Sequence, residues 1–199
     1  STNLKATGLP ANAGKAWDMI RNGPVASQFS TQWGGVDYNK PGHSMIGLHA
    51  NAGITFDLAA IREATGIREL RFSAVAGYGG RRAAPSAEFR VLRDGKLMAH
   101  KRLGRNDAVP IDFEISNDAR FITFISTDGG NDYSHDQISF GDPRLVPANP
   151  ASLAAKDLKR LEELRTEKAR LEKQLGYLGE PPEFYGVVSQ KPPVVKVLY

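Results

Sequence analysis

A chain of 199 residues, 41% hydrophobic and 24% charged, is long enough to bury one sandwich-sized core with an appendage, which excludes a wholly disordered polymer and leaves little room for two enzyme domains. Its formal net charge of +4 comes from 26 basic and 22 acidic residues that are scattered or interleaved, so no stripe suited to nucleic acid forms. Cysteine is absent, which removes disulfides and thiol chemistry, and no apolar run approaches the roughly 20 residues of a membrane span.

No signal-peptide pattern precedes Ser1, and the chain is expected to be a processed product or an excised fragment. Residues 1–42 are rich in Gly, Asn, Ala and Ser with isolated aromatics at Trp17, Phe29, Trp33 and Tyr38, and read as a loop-rich lead-in with short strands and one helical turn near Ala16 to Ile20. From Ile46 onward the pattern becomes strand-like. Leu70, Phe72 and Ala74 alternate with Glu69, Arg71 and Ser73, as a strand with one buried face requires.

Phe89 and Val91 alternate with Glu88 and Arg90 ahead of Asp94-Gly95, a dipeptide suited to a tight hairpin turn, and Lys96 starts the return strand. Ile111, Phe113 and Ile115 follow the same period, Ser116-Asn117-Asp118 supplies a turn, and residues 121–125 form an apolar run expected to be a central strand covered on both faces. Short strands in series predict an all-β antiparallel sandwich over residues 46–145. Its expected core includes Phe56, Leu70, Phe72, Phe89, Val91, Phe113 and Ile125.

After Pro147 and Pro150 the composition shifts. Residues 152–175 carry Leu158, Leu161, Leu164, Leu171 and Leu175 near helical spacing, with Ser152 as N-cap and a face of Glu, Lys and Arg, so one long helix is predicted there. Its leucines need a cover: the sandwich, or a second copy of the chain in a homodimer. Pro181-Pro182 and Pro192-Pro193 hold the remainder extended. The predicted organisation is a sandwich over 1–148, a helix over 149–178 and a tail over 179–199.

Catalytic motifs fail on inspection. Residues 8–15 have one residue too many for a phosphate-binding loop, and residues 42–46 place Ile46 where a nucleophile elbow needs glycine. His43, His49, His100 and His135 show no close pairing that would seat zinc on one helix face. The reading is therefore non-enzymatic. Two segments stand out: residues 47–58, which present His49 and Asn51 beside an alternating strand, and residues 127–145, where an apolar strand ends in a loop dense in Asp, Asn and His. Such a loop chelates calcium, hydrogen-bonds sugar hydroxyls, or satisfies its own backbone through Asx turns, and spacing alone favours the last.

The His49 loop followed by ITFDL, the FRVLRDGK hairpin and the closing TDGG with Asp136 and GDPRL together resemble the novel putative carbohydrate-binding module family, related to galactose-binding-like jelly-roll sandwiches. The resemblance implies a glycan held by loop polar groups and an aromatic platform, with His49, Asn51, Asp132, Tyr133, His135, Asp136, Trp33, Tyr38 and Tyr78 as the candidates. It also implies a structural calcium, for which Asp128 and Asp142 offer hard ligands. Where the family often has histidine, aspartate and tryptophan after the residue matched by Asp136, this chain has Gln137, Ser139 and Phe140.

AWDMIRNGP and PPEFYGVV resemble segments of large planctomycete proteins with cytochrome c-like domains, which implies export, an extracytoplasmic polysaccharide-related setting and neighbouring domains as partners. The haem motif is lacking and no haem is expected. The runner-up role is a scaffold that organises those domains without binding sugar, and a third is completion of a neighbouring enzyme's active site.

Overall fold

The computed structural model describes residues 8–9, 11–17, 19–81, 85–149 and 155–177. They fall into two units divided between residues 154 and 155. In the first, one five-stranded sheet runs in the order β1 (Ile20–Asn22), β4 (Met45–His49), β11 (Gln137–Pro147), β6 (Leu70–Tyr78) and β9 (Ala108–Ile115). The second sheet runs β5 (Ala52–Asp57), β10 (Phe121–Thr127), β7 (Glu88–Arg93) and β8 (Lys96–Arg102), and β2 (Gln32–Trp33) pairs with β3 (Val36–Asp37) as a small ribbon. Every pairing between these strands is antiparallel, so the chain carries the predicted all-β sandwich. The second unit contains the predicted helix as α2 (Ala155–Tyr177). Ser152 and residues 178–199, to which an N-cap and the extended tail were assigned, lie outside the described residues.

Period-two patterning builds the core. Leu70, Phe72, Ala74 and Ala76 project inward from β6 to meet Phe89 and Val91 of β7, Ile122 and Phe124 of β10 and Phe140 of β11, all buried. Phe56 and Phe113 are only half-buried at its margin. Ile125 departs from expectation. With Ile122, Phe124 and Ser126 facing inward, the strand period turns Ile125 to the outer face, where it is half-exposed; β10 is central in its sheet but covered on one side only. At the hairpin between β7 and β8, Asp94 and Gly95 take φ of 47° and 80°. The Asp94 carboxylate also accepts the Phe121 amide at 2.8 Å, tying the turn to the start of β10.

Two local predictions are corrected. The strand expected to run through Leu58 stops at Asp57, whose carboxylate accepts the amides of Ala59 and Ala60 at 2.9 and 3.2 Å and so caps α1 (Leu58–Thr65). Leu58 plugs the core and Gly66, left-handed at φ 72°, ends the helix. The helical turn expected near Ala16 to Ile20 is not formed by the described residues there: Trp17 N donates to Ala50 O and His49 N donates to Met19 O, each at 3.0 Å, and Ile20 opens β1 beside β4.

The outer face of the five-stranded sheet is what positions the site. Ser139 of β11 lies between Gly47 of β4 and Gly77 of β6, and Gly141 lies between Met45 and Val75, so small residues open room on that face beside the side chains of Met45 and Val75. Trp33 and Tyr38 cover that face, stacked on each other at 4.4 Å, with Trp33 Nε1 donating to Val75 O at 3.1 Å. A Cβ at Gly77 would come within 2.3 Å of the Trp33 ring, and one at Gly141 within 2.3 Å of the Tyr38 ring. The segment between β1 and β4 is thereby pressed onto the sheet.

Candidate functional site

Where β4 and β11 end on this outer face, a cleft of about 540 Å³ opens. His49, the last residue of β4, forms its floor and is only 1% exposed. Trp17 comes from the extended lead-in, Phe29 from the segment laid on the sheet, Tyr133 to His135 from the loop between β10 and β11, and Gln28 and Arg81 complete the rim. The rings of Trp17, Phe29 and Tyr133 surround the imidazole at centroid distances of 4.6, 6.2 and 6.2 Å. The site thus combines apolar ring faces with several polar groups.

His49 Nδ1 is 3.1 Å from Ala50 O; a carbonyl only accepts, so Nδ1 carries the proton and Nε2 of the neutral ring is left as an acceptor. Burial pushes the imidazole below its usual range, the Ala50 carbonyl opposes this, and His135 adds to the lowering. The ring is accordingly neutral at pH 7. Because the native pKa is depressed, the unfolded chain takes up a proton near pH 6.5 that native His49 refuses, so stability falls as pH drops through that value toward the folded pKa. We expect urea unfolding to show this as a slope of at most about 1.4 kcal/mol per pH unit on acidification below about pH 6.5, flattened in His49→Gln; parallel slopes in the two proteins would contradict it.

Of the residues predicted from sequence, His49, Tyr133 and His135 line the cleft. Asn51 and Asp136 brace it from behind. Asn51 donates to Lys15 O at 2.6 Å and to Asp128 Oδ2 at 2.9 Å, while its own carbonyl accepts Asp128 N at 3.1 Å. Buried Asp136 accepts Ala50 N on its backbone carbonyl at 2.8 Å, and its carboxylate lies 3.0 Å from Ser86 Oγ. Asp132 is exposed and caps the Ser134 amide at 3.3 Å, an Asx-type turn.

Of the aromatics expected as a platform, Trp33, Tyr38 and Tyr78 do not line this cleft: they are 3%, 5% and 1% exposed, the first two covering the sheet. Tyr78 acts from below, its hydroxyl donating to His135 O at 2.9 Å, which fixes the loop. Gln137, Ser139 and Phe140 are interior and none lines the cleft.

Asp128 and Asp142 do not form a shared metal site, because they sit beyond opposite ends of β4. Asp128 accepts from Ala13 N, Asn51 Nδ2 and Gly130 N at 3.0, 2.9 and 2.8 Å. Burial raises its pKa but these donors outweigh it and hold the carboxyl below the usual range. Asp142 engages His43 Nδ1 at 2.8 Å and Ser44 N at 2.9 Å. Among the described residues no three His, Asp or Glu side chains converge, and Asp128 and Asp142 cannot meet at one ion.

Sequence reasoning passed over Trp17, Phe29 and Gln28 as site residues, and it reads Arg81, beside Arg82 and two glycines, as a solvated loop in preference to a phosphate-binding cluster. The signal available was indirect. Small residues on one face of three strands, Gly47, Gly77, Ser139 and Gly141, mark a place that bulky side chains from elsewhere must cover.

Comparison with known proteins now bears on this geometry. Residues 32–146 match the model of the NPCBM/NEW2 domain. The CBM51 module of Clostridium perfringens GH95, solved in complex with methyl-galactose, superposes with a TM-score of 0.52 at 18% identity, covering 73% of this chain and 97% of that one. The Clostridium perfringens ZmpB structure containing the M60 catalytic domain with CBM51-1 and CBM51-2 gives a TM-score of 0.52 at 26% identity, over 68% of this chain and 14% of that one. The tandem CBM51 modules of the family 98 glycoside hydrolase from Streptococcus pneumoniae give 0.50 at 18% identity, over 74% and 46%. No curated protein matches.

Proposed function

The chain belongs to the NPCBM/NEW2 domain family, and from that premise we propose that it is a non-catalytic sugar-binding module whose ligand sits in the cleft over His49. The observation that carries the reading is the composition of that cleft. Sugars present apolar C–H faces and hydroxyl edges, and here the Trp17, Phe29 and Tyr133 rings stand beside His49, Gln28 and Ser134 in one depression. A relative of the same fold is seen with methyl-galactose, which makes a galactose-type ring the first ligand to try. Each polar contact exchanges a hydrogen bond with water and contributes only about 0.5–1.5 kcal/mol, so affinity is modest. The module serves a larger exported protein and acts outside the cytoplasm.

Calorimetric titration of the chain with methyl-galactose and a polysaccharide panel tests this. Saturable binding that protects the Trp17 indole from a fluorescence quencher supports it. No binding to any member of the panel sinks it.

The scaffold reading has an observation of its own. Along α2, Leu164, Leu171 and Leu175 are 49%, 50% and 62% exposed, a row of apolar side chains that a neighbouring domain or a second copy would cover. We expect light scattering to report self-association that Leu164→Lys weakens; a monomer at all concentrations, unchanged by the variant, leaves neighbouring domains as the cover.

A further inference from the structure

The cleft over His49 continues past Arg81 into a second depression, and we infer that the module prefers an acidic oligosaccharide, with the anionic group seated between Arg81 and Arg105. This deepens, and rests on, the sugar-binding reading above. The second depression, of about 380 Å³, shares Gln28, Phe29 and Arg81 with the first, so one extended ligand reaches both. The two halves differ in chemistry. The first is walled by aromatic rings, whereas the second adds Gln32, Arg105 and Asn106, which carry side-chain N–H donors, and Ser30, whose hydroxyl donates to Gln32 O at 3.1 Å.

Charge decides the ligand class. Among the described residues neither depression is lined by an aspartate or glutamate, while Arg81 lines both and Arg105 lines the second. Arg81 Nε donates to Gln28 O at 2.7 Å, which fixes the plane of the guanidinium and leaves its two terminal amino groups to serve a ligand. Asp107, two residues beyond Arg105, is already engaged: its carboxylate lies 3.0 Å from Lys101 Nζ and accepts Gly104 N at 3.1 Å. It therefore stabilises the turn that presents Arg105. A carboxylate or sulfate ester on a sugar ring is the anion such planar forks bind in two-pronged fashion.

The test titrates the chain with neutral galactotriose, trigalacturonic acid and a sulfated galacto-oligosaccharide of the same length, at low salt and at about 0.5 M NaCl. We expect an acidic trimer to bind about tenfold more tightly than galactotriose at low salt, an advantage that added salt erodes because exposed charges are screened. Whichever of the carboxylate and sulfate arms shows the advantage identifies the anion. Arg105→Gln brings the ratio of acidic to neutral affinity toward one. Equal affinities for neutral and acidic trimers, a salt-independent advantage, or an unchanged ratio in Arg105→Gln overturns the inference while leaving neutral sugar binding intact. Failure of every sugar to bind folded chain, checked by circular dichroism, removes the underlying reading as well.

Discussion

Gly77→Ala lowers the unfolding free energy by about 3 kcal/mol, more than a single added methyl costs at an ordinary strand position. Gly77 lies in β6 beneath Trp33, and its new Cβ would sit 2.3 Å from two atoms of the indole. The indole has no easy retreat. It is 3% exposed, stacked on Tyr38 at 4.4 Å and anchored through Nε1 to Val75 O, so lifting it breaks a stack and a partly buried hydrogen bond together. Neighbouring β-sheet hydrogen bonds resist the alternative, a backbone shift of β6, because that strand pairs on both sides with β11 and β9. Gly104→Ala is the matched control, since a Cβ there meets nothing closer than 3.7 Å. Urea unfolding should place the two variants about 2–3 kcal/mol apart at an unchanged m-value. Equal midpoints would mean that the segment carrying Trp33 is not pressed onto the sheet.

Trp17→Ala weakens sugar binding about 30-fold while leaving the fold largely intact. The indole is 40% exposed and forms the wall closest to His49, at 4.6 Å between centroids. Truncating a tryptophan at the centre of a binding surface typically costs at least about 2 kcal/mol, equivalent to roughly that factor in affinity. The backbone that carries it is clamped independently by the bonds of Trp17 N to Ala50 O and His49 N to Met19 O, which alanine retains. Titration with methyl-galactose reads the loss, and a melting curve reads the fold. Wild-type affinity in a folded Trp17→Ala protein would place the ligand elsewhere.

The strands were written into the sequence by local rules that hold without knowledge of the whole. Alternation at Leu70, Phe72 and Ala74, the Asp94-Gly95 turn and the turn at Ser116 all act over a few residues, and the leucine spacing of α2 does the same. The short helix α1 was also legible. Asp57 as N-cap and Gly66 as terminator bracket a run of helix formers, but the preceding apolar strand was read one residue too far.

For the site, the sequence by itself determined which loops carry polar chemistry, and so supplied His49, Tyr133 and His135. It also held the evidence against Tyr78, which continues the inward-facing period of β6 and is buried accordingly. Only the tertiary structure decided which aromatics reach solvent. Trp17, Phe29 and Arg81 come from three separate stretches and meet because the segment before β4 lies across a sheet face opened by Gly47, Gly77, Ser139 and Gly141. That face has room for the flat rings of Trp33 and Tyr38, which sink onto it, and leaves Trp17 standing at its rim. Residue type along a chain is a local property, whereas exposure depends on what the rest of the chain has already covered.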